Sequence, residues 1–142
     1  FYNSNRFGPF LKKHFNNDYE NMGNPNSFIS YGPQWAEAGS SPFRYYKGFT
    51  TEGGMTAAMI ISGPNVTRKN EIYHGLATVM DIAPTFYEIA NTQYPNVFEG
   101  QKLYPMRGSS IMPLATGITD DLHKPDYVFG LEHSNFGMIR KG

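Results

Sequence analysis

The apolar residues of this chain are gathered in short runs, and the longest run predicts a strand. Residues Met55 to Ser62 are mostly apolar, do not alternate with polar residues, and are followed by Gly63-Pro64. A run of this kind is typical of a strand that is buried on both faces, as in a parallel sheet covered by helices. We therefore predict a buried strand over residues 55–62.

The next patterned stretch, residues 81–91, has the spacing of a helix. Ile82 and Phe86 fall on one helical face. We expect Asp81 to cap the amino end, and Pro84 lies in the first turn, where its missing N–H does no harm. A strand followed by a helix is half of a βαβ unit, so the pattern predicts an α/β fold.

The composition changes after residue 95, where the pattern favours short antiparallel strands. Residues 127–131 and 136–140 have the pattern of two strands joined by a polar turn, which indicates a hairpin. A short helix is predicted over residues 109–115. We predict that residues 1–95 form part of an α/β domain and that a smaller antiparallel subdomain begins at residue 96.

The first 51 residues show no sustained period, yet they are rich in aromatic residues such as Phe7, Phe15, Phe28 and Trp35. A disordered linker would be poor in aromatic residues. We therefore predict an ordered loop whose rings are buried, with short helices over residues 8–15 and 34–38. Long ordered loops are often binding or active-site segments.

Charge and composition exclude several classes of protein. Twelve Lys and Arg balance twelve Asp and Glu among the 142 residues, which argues against nucleic acid as a partner. The absence of Cys removes disulfides, thiolate nucleophiles and cysteine-ligated zinc. The longest apolar stretch, residues 57–61, is far shorter than the roughly 20 residues that span a membrane, so no membrane partner is expected. Both chain ends resemble cuts from a longer polypeptide.

Few residues carry the chemistry of a recognisable site. No two histidines have the spacing that places both on one metal ion, no G-x-S-x-G motif is present, and His74 is expected to be a structural, hydrogen-bonded residue. Lys47 lies among three aromatic residues, shortly before Gly53-Gly54, whose small size lets a backbone approach a ligand closely. It is either a surface lysine or a compact positive charge offered to a sulfate or phosphate group. The residues alone leave both readings open.

Several blocks of the sequence resemble the second half of bacterial arylsulfatases. They include Tyr19-Glu20-Asn21-Met22-Gly23, Tyr46-Lys47-Gly48-Phe49-Thr50-Thr51-Glu52-Gly53-Gly54 and Ala77-Thr78-Val79-Met80-Asp81-Ile82-Ala83-Pro84-Thr85. The resemblance continues more weakly through residues 107–110 and 137–142, and it extends over essentially the whole chain. It implies an alkaline-phosphatase-like α/β fold, in which residues 1–95 end the catalytic domain and residues 96–142 begin the smaller carboxy-terminal subdomain.

The resemblance also implies a chemistry, the hydrolysis of small-molecule sulfate esters. Enzymes of this family use a formylglycine made from a C/S-x-P-x-R motif and a calcium ion held by Asp and Asn residues. This chain contains no Cys, and its one S-x-P-x-R spacing, Ser40 to Arg44, lies within the stretch that resembles the second half of these enzymes. The calcium ligands are not in matching positions. We therefore expect the nucleophile and the metal ligands to lie on the remainder of the sulfatase polypeptide, which is the implied partner, and we expect this chain alone to be inactive.

One matching position bears on the reaction, because Lys47 is similar to the lysine that contacts the sulfate group in this family. The resemblance implies that Lys47 is the catalytic and substrate-binding residue of this chain, and that the aromatic loop before it forms a pocket wall. Two alternatives stay open. A lysine alone does not distinguish sulfate from phosphate or phosphonate esters, and a chain without the catalytic half is also compatible with a non-catalytic binding module.

Overall fold

The computed structural model describes residues 4–30, 32–133 and 135–142, with side chains from residue 7 onward. The chain forms two compact units, of which the first ends at Thr56 and the second runs from Ala57 to Gly142. The described part combines helices with two small antiparallel sheets, which agrees with the predicted mixture of α and β elements. No helix in these ranges is long and apolar enough to cross a membrane.

The first unit is built from short helices and loops. Its helices are α1 (Ser4–His14), α2 (Gly32–Ser40) and α3 (Glu52–Met55), with a 3₁₀ turn over Tyr19–Asn21. The helices predicted over residues 8–15 and 34–38 are confirmed in position, and both are longer than predicted. Helix α3 was not predicted, because four residues that include two glycines give no helical signal.

Some aromatic residues of the first unit pack against one another. The ring of Phe28 lies 5.7 Å from that of Phe7 and 5.5 Å from that of Phe15, measured between centroids. By contrast, Tyr19 is 81 % exposed and Trp35 is 71 % exposed. The prediction that the rings of this half are buried is therefore wrong for Tyr19 and Trp35. The aromatic residues of this half follow no helical or strand period, so they do not share one face and do not all pack into one cluster.

The second unit contains two helices and two hairpins. Helix α4 (Ile82–Ile89) follows a 3₁₀ turn over Val79–Asp81, and α5 is a single turn (Met112–Ala115). Strands β1 (Val97–Phe98) and β2 (Gln101–Lys102) form one antiparallel pair, and β3 (Val128–His133) and β4 (Phe136–Lys141) form the other. Both predicted helices and the predicted hairpin are confirmed, whereas the two-residue strands β1 and β2 are too short to show a period.

The buried core of the second unit lies where α4 meets α5. Ile111, Leu114 and Ala115 are each less than 8 % exposed. The hydroxyl of Thr85 donates a hydrogen bond to the Asp81 carbonyl oxygen at 2.6 Å and accepts one from the Ile111 N–H at 2.9 Å. Because this hydroxyl is buried and satisfied in both roles, it fixes the start of α5 against α4.

The predicted buried strand over residues 55–62 is wrong. Met55 ends α3, and residues 56–62 have no regular secondary structure and are all exposed, with Ile60 at 93 %. A strand needs a hydrogen-bonded neighbour, and each described sheet is a hairpin whose two strands pair only with each other. The apolar pattern is present, but the described residues supply no partner strand for it.

Candidate functional site

Lys47 lies in a tight turn of the first unit. The Phe49 N–H donates a hydrogen bond to the Tyr46 carbonyl oxygen at 3.3 Å, which closes a four-residue turn with Lys47 in its second position. Gly48 occupies the third position with φ +107°, a conformation that favours glycine and is typical of a type II turn. Lys47 is exposed, and its ammonium group has no hydrogen-bond or ion-pair partner within the described ranges.

The loop that carries this turn is closed at its base by hydrogen bonds. The carbonyl oxygen of Arg44 accepts one from the Gly53 N–H at 3.1 Å and one from the Thr51 hydroxyl at 2.8 Å. Residues 44–53 therefore begin and end at the same place, as in a compact Ω-type loop. Such closure holds an exposed turn in one position without burying it.

Aromatic rings on both sides of Lys47 pack together inside this loop. The Phe49 ring stacks on Tyr45 at 4.8 Å and meets Tyr46 edge-on at 5.3 Å. The guanidinium carbon of Arg44 lies 4.6 Å from the centroid of the Tyr45 ring, and Arg44 also donates to the Tyr45 hydroxyl at 2.9 Å. Because aromatic pairs of this kind contribute about 0.5–1.5 kcal/mol each beyond burial, the loop carries its own stabilising contacts.

The Gly53-Gly54 pair serves this packing. A Cβ atom at Gly53 would collide with the carbonyl oxygens of Arg44 and Tyr45, and one at Gly54 would collide with those of Tyr46 and Phe49. The close approach expected from the sequence is thus between the first turn of α3 and the loop itself. The pair faces the backbone of the loop and not an open site. Its role in this structure is therefore to let α3 pack closely against the loop.

A second polar cluster, in the second unit, is centred on Asp81. This carboxylate is fully buried. It accepts hydrogen bonds from the Thr78 N–H at 2.7 Å, the Thr78 hydroxyl at 3.0 Å and the Ser109 N–H at 2.8 Å. The Nε2 atom of His123 lies 3.2 Å from its Oδ2 atom. We call Asp81, Thr78, Ser109 and His123 the Asp81 cluster.

The Asp81 cluster holds a buried negative charge. Burial alone would raise the pKa of Asp81, but the hydrogen bonds from Ser109, Thr78 and His123 together outweigh it and lower that pKa. Asp81 occupies the predicted N-cap position of α4, but its side chain makes no capping hydrogen bond to that helix and closes a capping box with Thr78 on the preceding 3₁₀ turn. Its oxygens instead connect the start of α4 to two distant stretches of chain.

His123 is the residue of this cluster that the sequence did not indicate. Its side chain is 6 % exposed and stacks on the Tyr127 ring at 4.1 Å, with 9° between the planes. Both rings line a cavity of about 260 Å³, together with Tyr73 and Lys124. His74, expected to be the hydrogen-bonded histidine, is exposed and has no hydrogen-bond partner in the described part of the chain.

The described residues do not form a calcium site. Nowhere in the described ranges do three or more His, Cys, Asp or Glu side chains come together in an arrangement that could hold a metal ion. Calcium in proteins takes six to eight oxygen ligands, several of them carboxylates. Asp120 is engaged in an ion pair with Arg68, and Asp81 is committed to its four hydrogen-bond donors. No step of a reaction is therefore assigned to calcium on this chain.

Comparisons with known proteins point to one group of enzymes. No protein-family model matches the chain. An uncharacterized sulfatase of Schizosaccharomyces pombe is 45 % identical over 132 residues, which cover 92 % of this chain and 24 % of that protein. The arylsulfatase of Klebsiella aerogenes is 36 % identical over 108 residues, 75 % of this chain and 23 % of that protein. The chain spans about a quarter of the length of these curated relatives, and it is a relative of sulfatases, as its sequence indicates.

Proposed function

We propose that this chain is the carboxy-terminal part of a sulfatase that hydrolyses sulfate esters, aryl sulfates among them. The observation that carries the proposal is the exposed ammonium group of Lys47, which a closed loop presents. The chain that contains this loop is 45 % identical to a sulfatase over 92 % of the chain's own length. The loop supplies what an anion site needs from this chain, a compact positive charge on a fixed backbone.

In this proposal Lys47 is both the substrate-binding and the catalytic residue of the chain. A sulfate ester carries one negative charge, and cleavage of the bond between sulfur and the ester oxygen spreads further charge onto the oxygens around sulfur. An ammonium group beside those oxygens stabilises the transition state more than the bound substrate, so it raises kcat. Phe43, 44 % exposed, and Trp35, 71 % exposed, are candidates for the wall that faces an aryl group.

The remaining parts of the active site are proposed to lie outside this chain. The chain has no Cys, and its one S-x-P-x-R spacing, Ser40 to Arg44, lies in the stretch that resembles the second half of arylsulfatases, so in this proposal the formylglycine comes from the remainder of the sulfatase polypeptide. The same holds for the calcium ligands, which the described residues do not provide. The proposed whole has an alkaline-phosphatase-like fold, with the division at residue 95 separating the end of the catalytic domain from the smaller subdomain.

The test compares Lys47 variants of the sulfatase polypeptide that contains this chain. We expect Lys47→Ala to lower kcat/KM for 4-nitrophenyl sulfate by roughly 30- to 1,000-fold, equivalent to about 2–4 kcal/mol, because a cation at the transition state is lost. Lys47→Arg should restore only part of the activity, since a planar fork replaces a point charge. Exposed Lys12 and Lys69 provide matched controls, and their Ala variants should retain full turnover.

The outcomes separate the alternatives. A folded Lys47→Ala variant with the kcat/KM of the parent refutes the role of Lys47. If the parent prefers 4-nitrophenyl phosphate or a phosphonate ester to the sulfate, the chain belongs to a phosphate-ester or phosphonate-ester hydrolase instead. If the whole polypeptide hydrolyses none of these esters, a binding module is the better description. Thermal unfolding of each variant serves as the control for folding.

A further inference from the structure

Tyr45 adopts a backbone conformation that aromatic residues rarely accept. Its φ is +60°, in the left-handed region, and it stands two residues before Lys47. Non-glycine residues in this region are uncommon, and a bulky residue there persists only when its surroundings enforce the conformation. The strain lies inside the loop that presents the proposed sulfate-binding lysine.

Contacts from three directions hold Tyr45 in place. The Phe49 ring stacks on one side at 4.8 Å, and Arg44 binds the hydroxyl at 2.9 Å while its guanidinium group lies over the ring. On the backbone side, Gly53 packs so closely against the Tyr45 carbonyl that no side chain would fit there. The ring and the carbonyl of Tyr45 are thus fixed independently of each other.

These contacts determine where the Lys47 turn begins. The turn starts at Tyr46, the residue directly after Tyr45, and it ends at Phe49, whose ring stacks on Tyr45. The Tyr45 ring therefore touches the end of the turn, while its backbone sets the direction of the start. Losing the ring releases the Phe49 end of the turn and lets the ammonium group of Lys47 move.

We infer that Tyr45 is a positioning residue for Lys47, held in a strained conformation by Arg44 and Phe49. The inference rests on the proposed function of Lys47. It predicts that Tyr45 affects catalysis only through Lys47. Catalysis is sensitive to such placement, because a shift of about 1 Å can lower a rate on the order of 100-fold.

The experiment is a double-mutant cycle in the sulfatase polypeptide that contains this chain. Tyr45→Asn removes the ring but keeps a residue that tolerates a positive φ, so the backbone strain is not increased. We expect it to lower kcat/KM for 4-nitrophenyl sulfate on the order of 10- to 100-fold, mainly in kcat, in the parent background. In the Lys47→Ala background the same substitution should change kcat/KM by less than about twofold.

Two further variants keep the test decisive. Tyr19→Asn is the matched control, because Tyr19 is an 81 % exposed tyrosine of the same unit, and this variant should behave like the parent. Tyr45→Phe keeps the stacked ring and should rescue most of the activity lost in Tyr45→Asn. If Tyr45→Asn does not fold, Phe49→Leu replaces it, since that change removes the stacking partner and leaves residue 45 unchanged.

The result that overturns the inference differs from the one that overturns the proposed function. If Lys47→Ala loses activity but Tyr45→Asn does not, or if Tyr45→Asn causes the same loss in both backgrounds, Tyr45 does not act through Lys47. If Lys47→Ala is as active as the parent, the proposed function fails and the inference fails with it. A loss that appears only when Lys47 is present supports both.

Discussion

From the Asp81 cluster we predict that Asp81→Asn lowers the stability of the second unit, although the two side chains are nearly isosteric. The buried carboxylate accepts hydrogen bonds on both oxygens, three donors at Oδ2 and the Ser109 N–H at Oδ1. An amide has one acceptor oxygen and one NH₂ donor group. Whichever way the substituted amide turns, at least one buried donor then faces another donor.

The magnitude follows from the better of the two orientations. With the amide oxygen at the Oδ2 position, the Ser109 N–H loses its acceptor, and an unsatisfied buried donor costs about 1–3 kcal/mol. The hydrogen bonds that remain lose the charge of the acceptor, and such charge-assisted bonds are about twice as strong as neutral ones. Removing a buried charge offsets part of this loss. We expect a net destabilisation of about 2–4 kcal/mol.

Amide hydrogen exchange at Thr78 and Ser109 measures this loss where it occurs. A change of about 2–4 kcal/mol corresponds to roughly 30- to 1,000-fold faster exchange at neutral pH. The pH dependence has a definite sign. Because the folded pKa of Asp81 is lowered, its carboxylate contributes stability above about pH 4 and loses that contribution as the pH falls through the folded pKa.

After correction for the intrinsic exchange rate, the Ser109 amide of the parent should therefore lose protection as the pH is lowered. In Asp81→Asn this pH-dependent loss of protection should be absent. Asp126→Asn removes the same charge from an exposed residue and serves as the control. Protection in Asp81→Asn within about threefold of the parent would refute the reasoning, since the four donors would then find equivalent partners without the carboxylate.

Two predictions concern the 142-residue chain alone. It should not hydrolyse 4-nitrophenyl sulfate, because the proposed formylglycine and calcium ligands lie on the remainder of the sulfatase polypeptide, and detectable calcium-dependent turnover by the purified chain would contradict this. It should also bind a hydrophobic dye such as ANS through residues 57–61, which are exposed. Ile60→Lys should reduce the fluorescence of the bound dye. Ile118→Lys changes a similarly exposed isoleucine outside the segment and should reduce the fluorescence less. A monomeric chain that unfolds cooperatively and binds no dye would count against this prediction.

The elements that the sequence predicted correctly are those whose signal is local. Helix α4 repeats its apolar residues at helical spacing, and the hairpin of β3 and β4 combines two apolar runs with a polar turn. The contact between Asp81 and His123 has no such signal, because 42 residues separate them. A buried carboxylate can be recognised only once the fold has brought its donors together.

The same distinction applies to Lys47. Its proposed role rests on the resemblance of residues 46–54 to arylsulfatases, whereas the hydrogen bonds that close its loop follow from the fold. Hydrogen bonds at the base of the loop join Arg44 to Thr51 and Gly53. The spacing of these residues along the chain follows neither a helical nor a strand period, so the sequence does not predict the contact. The small size of the glycine pair is visible in the sequence, but the close packing of α3 against the loop depends on where the fold places the loop carbonyl groups.

The missing strand over residues 55–62 shows what an apolar pattern does and does not determine. Residues 57–62 make no backbone hydrogen bond within the described part of the chain, and Ile60 is 93 % exposed. Burying one such side chain contributes about 1.5–3 kcal/mol of stability. The unpaired N–H and C=O groups of the segment are also free to form hydrogen bonds with a neighbouring strand. The pattern describes the surroundings for which the segment is suited, a sheet covered on both faces. Those surroundings are what the proposed remainder of the sulfatase polypeptide would supply, directly after the loop that carries Lys47.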